Sequence, residues 1–135
     1  VATFLYGVTS QQAEATGLNW PGATVWGLLV TAAYVPQINV DQHVSDIPAA
    51  AIIARVGPMT SMASANGICS GILPQFFALL STVNAAAIVL YFNTSVDTTS
   101  QLIYYSSDGV GFPLPLQGFN YAVAYDQSFS GWFQV

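Results

Sequence analysis

Few residues in this chain have types and spacing that could do chemistry. The one cysteine, Cys69, lies in Gly67-Ile68-Cys69-Ser70-Gly71, the thiol form of a nucleophile elbow. That motif needs a buried strand before the nucleophile and a helix after it, so that a strained turn exposes the reactive atom. Here Ser61 to Asn66 makes a poor core strand, and Ile72-Leu73-Pro74 cannot open a good helix. The lone imidazole, His43, also precedes the cysteine, against the order nucleophile, acid, histidine. Cys69 among small residues reads as an inert buried thiol. His43 with Asp41 and Asp46 is the one grouping that resembles a metal or acid–base site. One imidazole and two loop carboxylates fall short of a structural zinc set, and a calcium loop needs more oxygens at regular spacing. Turn chemistry accounts for them: Asp46 caps a turn and His43 donates to a backbone carbonyl. Glu14, Asp97, Asp108 and Asp126 are dispersed, and nothing in their spacing sets two carboxyls across a cleft as glycoside hydrolysis requires. No catalytic residue, metal set or cofactor site is expected, and the chain is not expected to be an enzyme.

Composition bears on partners more than motifs do. The 135 residues are 53% hydrophobic and 5% charged, with Arg55 the single Lys or Arg against six acids. An ordinary domain carries roughly a quarter charged residues. Phosphate neutralisation needs a basic stripe, so nucleic acid is excluded as a partner, and attraction to an anionic membrane fails for the same reason. Phe76 to Phe92 is apolar but is interrupted by Ser81, Thr82 and Asn84, so no transmembrane span is expected. Val1 to Tyr6 lacks the basic start of a secretion signal. A lone cysteine rules out an internal disulfide, so packing must hold the fold. A monomer with so few ions would display much apolar surface; interfaces, by contrast, favour uncharged, aromatic-rich patches. The composition therefore points to a subunit that covers its surface with neighbours.

The elements that would position these residues are strands. Ile88 to Phe92 is an apolar run fit for a strand buried on both faces, and Leu102 to Tyr105 resumes the pattern after the polar connector Thr94 to Ser100. Together they predict a central antiparallel hairpin. Before it, Phe4, Leu5 and Val8 at helical spacing predict a short helix within Ala2 to Ala15, closed by Gly17. Asn19-Trp20-Pro21-Gly22 is a turn, and Ala23 to Tyr34 is a strand with a bulge or bend at Gly27. Gln37 to Asp46 is a polar connection, followed by a strand at Ala51 to Val56 that Gly57-Pro58 ends. Met59 to Gly71 reads as a modest strand and a loop, and Ile72 to Leu80 as another strand. Phe112 to Leu116, with its prolines, is an edge or a linker; Phe119 to Tyr125 alternates cleanly, and Ser130 to Val135 closes the chain. Roughly eight short strands with regular turns predict one all-β domain over residues 1–135, an antiparallel sandwich or barrel with a short N-terminal helix.

The order of these features resembles a family of small tailed-bacteriophage virion proteins of the head decoration or cement type. The pieces that match are Asn19-Trp20, Val25 to Thr31, His43-Val44-Ser45-Asp46-Ile47, Ile88 to Asn93, Ser100 to Tyr105, Pro113-Leu114 with Gly118, and Gly131-Trp132-Phe133. The charged strand ends of that family are missing here, and the spacing from His43 to Ser45 is shorter than its pattern. The resemblance implies a location on the outer surface of a phage head, for a protein made in the host cytoplasm, with the major capsid protein as partner. Closed cyclic symmetry is usual for oligomers, and a trimer would suit a capsid threefold point. The side chains expected at such contacts are Trp20, Trp26, Phe112, Trp132 and Phe133, with Arg55 as a lone anchor pairing with a carboxylate. The alternative is a tail or head-fibre component that binds host surface glycans on aromatic platforms, although core and interface packing accounts for most of the rings.

Overall fold

A computed structural model describes residues 3–77, 82–107, 112–118, 120–123 and 132–134. Asp108-Gly109, which read as a turn with Ser107, the acid Asp126, and Phe119, Ala124 and Tyr125 of the expected strand Phe119 to Tyr125 lie outside them. The described chain is mostly antiparallel β-structure with one short helix. Its strands are β1 (Thr3–Leu5), β2 (Val25–Val30), β3 (Ile52–Val56), β4 (Thr60–Ala65), β5 (Ile68–Ile72), β6 (Ala87–Phe92), β7 (Leu102–Ser106) and β8 (Phe133–Gln134), and its helix is α1 (Gly7–Ala15). They form an open five-stranded sheet, β1-β7-β6-β2-β3, and a three-stranded sheet, β4-β5-β8. Among the described residues neither ladder closes upon itself, so the expectation of a barrel is corrected.

The hairpin expected at the centre is there. β6 lies between β7 and β2, antiparallel to both, and Ala87 to Tyr91 are all buried. Alternation sends Ile88 and Leu90 to one face, with Val25 and Leu29, and Val89 and Tyr91 to the other, with Leu28 and Val30. Two bulges bend this sheet. Ile53 is the extra residue where β3 meets Leu29 and Val30, and Ile103 is the extra residue where β7 meets Leu90 and Tyr91. Ile103 and Tyr104 then serve the same apolar cluster. The bulge does not fall at Gly27. That glycine instead admits Leu73, whose Cδ1 would stand 2.8 Å from an added Cβ.

Each face of the large sheet is covered differently. On one, Cys69 and Phe133 of the small sheet join Trp20, Met59, Leu73, Phe76, Leu116 and Trp132. On the other lie Tyr6, Tyr34, Val44, Ile47 and Ala51, from the chain around α1 and the long connection from β2 to β3. Helix α1 has no apolar stripe: its buried residues are Gly7 and Thr9. It is held by polar contacts, with Thr9 Oγ1 donating to the Leu102 carbonyl at 2.7 Å and the Gln101 amide donating to Thr9 and Gln12. Phe4 and Leu5, expected on the helix, lie in β1 and point to opposite faces, with Phe4 against the rings of Tyr6 and Tyr105. Gly17 follows the helix with φ +80°, as expected of its closing residue. No helix among the described residues is long and apolar enough to cross a membrane.

The small sheet begins as a hairpin that the sequence reading divided into a strand and a loop. Asn66 and Gly67, both with positive φ, make the two-residue turn between β4 and β5 that right-twisted strands prefer. Strand β5 ends at Ile72, and within the described part of the expected strand Ile72 to Leu80, residues 72–77, Phe76 makes an isolated bridge to Tyr121. Two buried indoles tie this sheet to the core. Trp20 Nε1 donates to the Ser70 carbonyl at 2.7 Å, and Trp132 Nε1 donates to the Gly71 carbonyl at 3.1 Å. Trp20→Phe removes this hydrogen bond to the Ser70 carbonyl, which is expected to cost about 0.5–1.5 kcal/mol. Urea unfolding should show a lower midpoint with the same m-value, and an unchanged midpoint would remove the indole from the account.

Candidate functional site: an uncharged surface

The residues whose types could do chemistry are engaged in structural contacts. Asp46 Oδ2 accepts the backbone N–H groups of Gln42 and His43 at 2.8 and 3.1 Å, the turn-capping role expected of it. These bonds hold its carboxyl below the usual carboxylate range. Asp41 Oδ2 accepts the Tyr34 hydroxyl at 2.8 Å and the Gln37 N–H at 3.0 Å, while Tyr34 and Tyr6 hydroxyls meet at 2.7 Å. Burial pushes both phenols well above their ordinary value. Among the described residues, no three or more of His, Cys, Asp and Glu gather to hold a metal. Cys69 is buried inside β5, not perched on a strand-to-helix turn, and burial pushes its thiol up to about 11.

The expected contact residues divide by burial. Trp20, Trp132 and Phe133 are in the interior: their rings pack on one another and on Tyr104. Two of them also donate indole N–H groups inward, and an acceptor in the core is what draws a tryptophan away from the surface. Phe112 is half-buried against the same cluster, and Trp26 is half-buried against the other. Arg55 does find a carboxylate. Its guanidinium makes a bidentate pair with Asp97 at 2.6 and 2.8 Å, joining edge strand β3 to the β6–β7 connection. The guanidinium beside Asp97 holds that carboxyl below its ordinary value.

The surface itself supplies other side chains. Residues 56–96 contain no charged side chain and no histidine. They include the whole β4–β5 hairpin, where β4 is exposed at every residue but Met62. Ile72, Phe77 and Val83 of this span are exposed, Phe77 by 68%. A second exposed apolar set, Val35, Ile38 and Val40, sits in a connection that reads as polar in sequence. Three aliphatic residues within six positions between Tyr34 and Asp41 were the signal for it. Where β2 ends and the chain enters β6 lies an open depression of about 430 Å³. Thr31, Ala32, Ala33, Thr82, Val83, Asn84, Ala86 and Pro113 line it, and none is ionisable. The depression is thus a neutral, mainly apolar surface.

No protein-family model, characterised protein or solved structure matches the chain.

Two measurements check this description. Cys69 should resist a disulfide reagent in the native protein at pH 8 and react fully once the chain is unfolded, because a buried thiol gives little thiolate. Rapid native labelling would place it at the surface. Asp97, with its pKa lowered by Arg55, favours the fold above the ordinary carboxylate value and loses that contribution as pH falls through its folded-state value. Both partners are partly exposed to screening water. Asp97→Asn should therefore cost less than about 1 kcal/mol at neutral pH, with the difference from wild type vanishing in acid.

Proposed function

We propose that this chain is a structural subunit of a tailed-bacteriophage particle, a decoration protein that binds the outside of the head shell and bridges major capsid subunits. In this reading the two sheets are the layers of a sandwich, and one apolar cluster drawing on both of them supports that. The observation that carries the proposal is the uncharged span of residues 56–96, with Ile72, Phe77 and Val83 exposed on it. Apolar area of that kind is stabilised when another surface removes it from water, by roughly 25 cal/mol per Å² before association costs. The location is taken from the resemblance in the order of sequence features to virion proteins. Binding only the completed shell would lower that shell's free energy by mass action, by about 2.7 kcal/mol per site at a hundredfold excess over Kd. The glycan-binding alternative draws less support, since Phe77 is the only aromatic among the large apolar side chains exposed in the described residues.

Quantitative mass spectrometry of purified particles tests the location. Copies on the order of hundreds per particle fit a repeated shell site. A handful would assign the protein to tail or portal, and its absence from particles would end the virion reading. Added back to shells that lack it, the protein should raise their disruption temperature; shells indifferent to it would not be its partner.

A further inference from the structure

We propose that Asn66, at the tip of the β4–β5 hairpin, is a site of self-modification. The backbone nitrogen of Gly67 closes on the Asn66 carboxamide, ammonia leaves, and water opens the ring to aspartate or isoaspartate. The reaction belongs to the hairpin alone and needs no partner, capsid or otherwise.

The steps balance with water as the one co-reactant. The Gly67 nitrogen gives up its proton and bonds to Asn66 Cγ, the Cγ–Nδ2 bond breaks, and Nδ2 departs with that proton as ammonia. The five-membered imide then takes up one water, and nothing is oxidised or reduced. Hydrolysis at Cγ leaves aspartate. Hydrolysis at the main-chain carbonyl leaves isoaspartate, whose backbone runs through Cβ and Cγ and is one methylene longer. A Cβ on the following residue would crowd the attacking nitrogen, and glycine has none. Of the six asparagines only Asn66 precedes a glycine; the others precede Trp20, Val40, Ala85, Thr94 and Tyr121.

The hairpin sets the access. Asn66 is exposed, so water and hydroxide reach it. Asn66 has φ +54° and Gly67 φ +79°, the compact two-residue turn. The imide ring fixes the bond from Asn66 Cα to its carbonyl carbon near an angle that such a turn does not use, so the turn must open first. Opening it uncovers little. Among the described residues β4 pairs with β5 alone, and Ala63, Ser64 and Ala65 beside the turn are small and exposed. Segments that bury so little apolar area open at low free-energy cost. Strand β5 is held meanwhile on its other flank, where Ile68 and Cys69 pair with Gln134 and Phe133.

The two products differ in consequence. Aspartate also suits the two-residue turn, so that product keeps the hairpin and adds the first charge within residues 56–96. Isoaspartate adds the same charge and lengthens the turn, which takes Ala65 and Ile68 out of register.

Folded protein held at pH 8 for several days should accumulate a form one charge more negative than its present −5. Peptide mapping should place the change at Asn66, with conversion there about tenfold or more ahead of any other asparagine. The rate should climb with pH, because the attacking nitrogen must lose its proton. Asn66→Gly keeps a two-residue turn without the carboxamide and should abolish the acidic form. In the isoaspartate product, separated by ion exchange, β4 and β5 amides should lose protection from hydrogen exchange while those of β6 and β7 keep it. A folded protein that holds its charge while the urea-unfolded chain converts would overturn the proposal. So would an acidic form traced to another asparagine, or one equally abundant in Asn66→Gly.

Discussion

The five-stranded sheet is apolar on both faces, and the rest of the molecule follows from that constraint. Its central strand leaves no residue from Ala87 to Tyr91 in contact with water, so neither face can serve as an exterior. An antiparallel sheet usually keeps one wet face. Here the chain supplies a cover for each. On one side it spends a whole second sheet and two tryptophans; on the other, a polar helix and a long connection stitched down by tyrosine hydroxyls and Asp41. Among the described residues the only exposed large aromatic side chain is Phe77.

How far the sequence foretold this depended on whether a local pattern or a distant contact decided the outcome. The β6–β7 hairpin was legible because Ile88 to Phe92 admits no other regular structure. Asp46 was legible because capping acts within four residues. Phe4 and Leu5 were misread because their spacing suits a helix turn, and the deciding event is pairing with Tyr104 and Tyr105 a hundred positions away. The Asn66-Gly67 turn was visible in principle but overlooked, since the flanking Ser and Ala residues carry almost no alternation. The tryptophans were assigned to contacts by composition. Trp20 and Trp132 donate to carbonyls on β5, which no local pattern reveals.

The surface is the other half of that account. A chain with one cation, and that cation paired, has little means of long-range steering; what remains is shape, apolar area and neutral hydrogen-bonding groups. Specificity on such terms comes from rigid fit, and the features that hold the Tyr34–Asp41 connection in place are of that kind. The uncharged span of residues 56–96 is therefore a more informative statement about partners than any individual side chain.

The small sheet is assembled from distant parts of the chain. Strand β5 is bracketed by a neighbour made just before it and by one made much later, and Trp132 reaches Gly71 across a separation of 61 residues. During synthesis the β4–β5 hairpin must therefore emerge, and wait, with one flank unpaired. Closure of that flank comes only after Phe133 has been added. A ribosome-bound chain stopped short of that point offers the Ile68-Cys69 edge of β5 to its neighbours on the same message, an edge that β8 covers in the completed sheet.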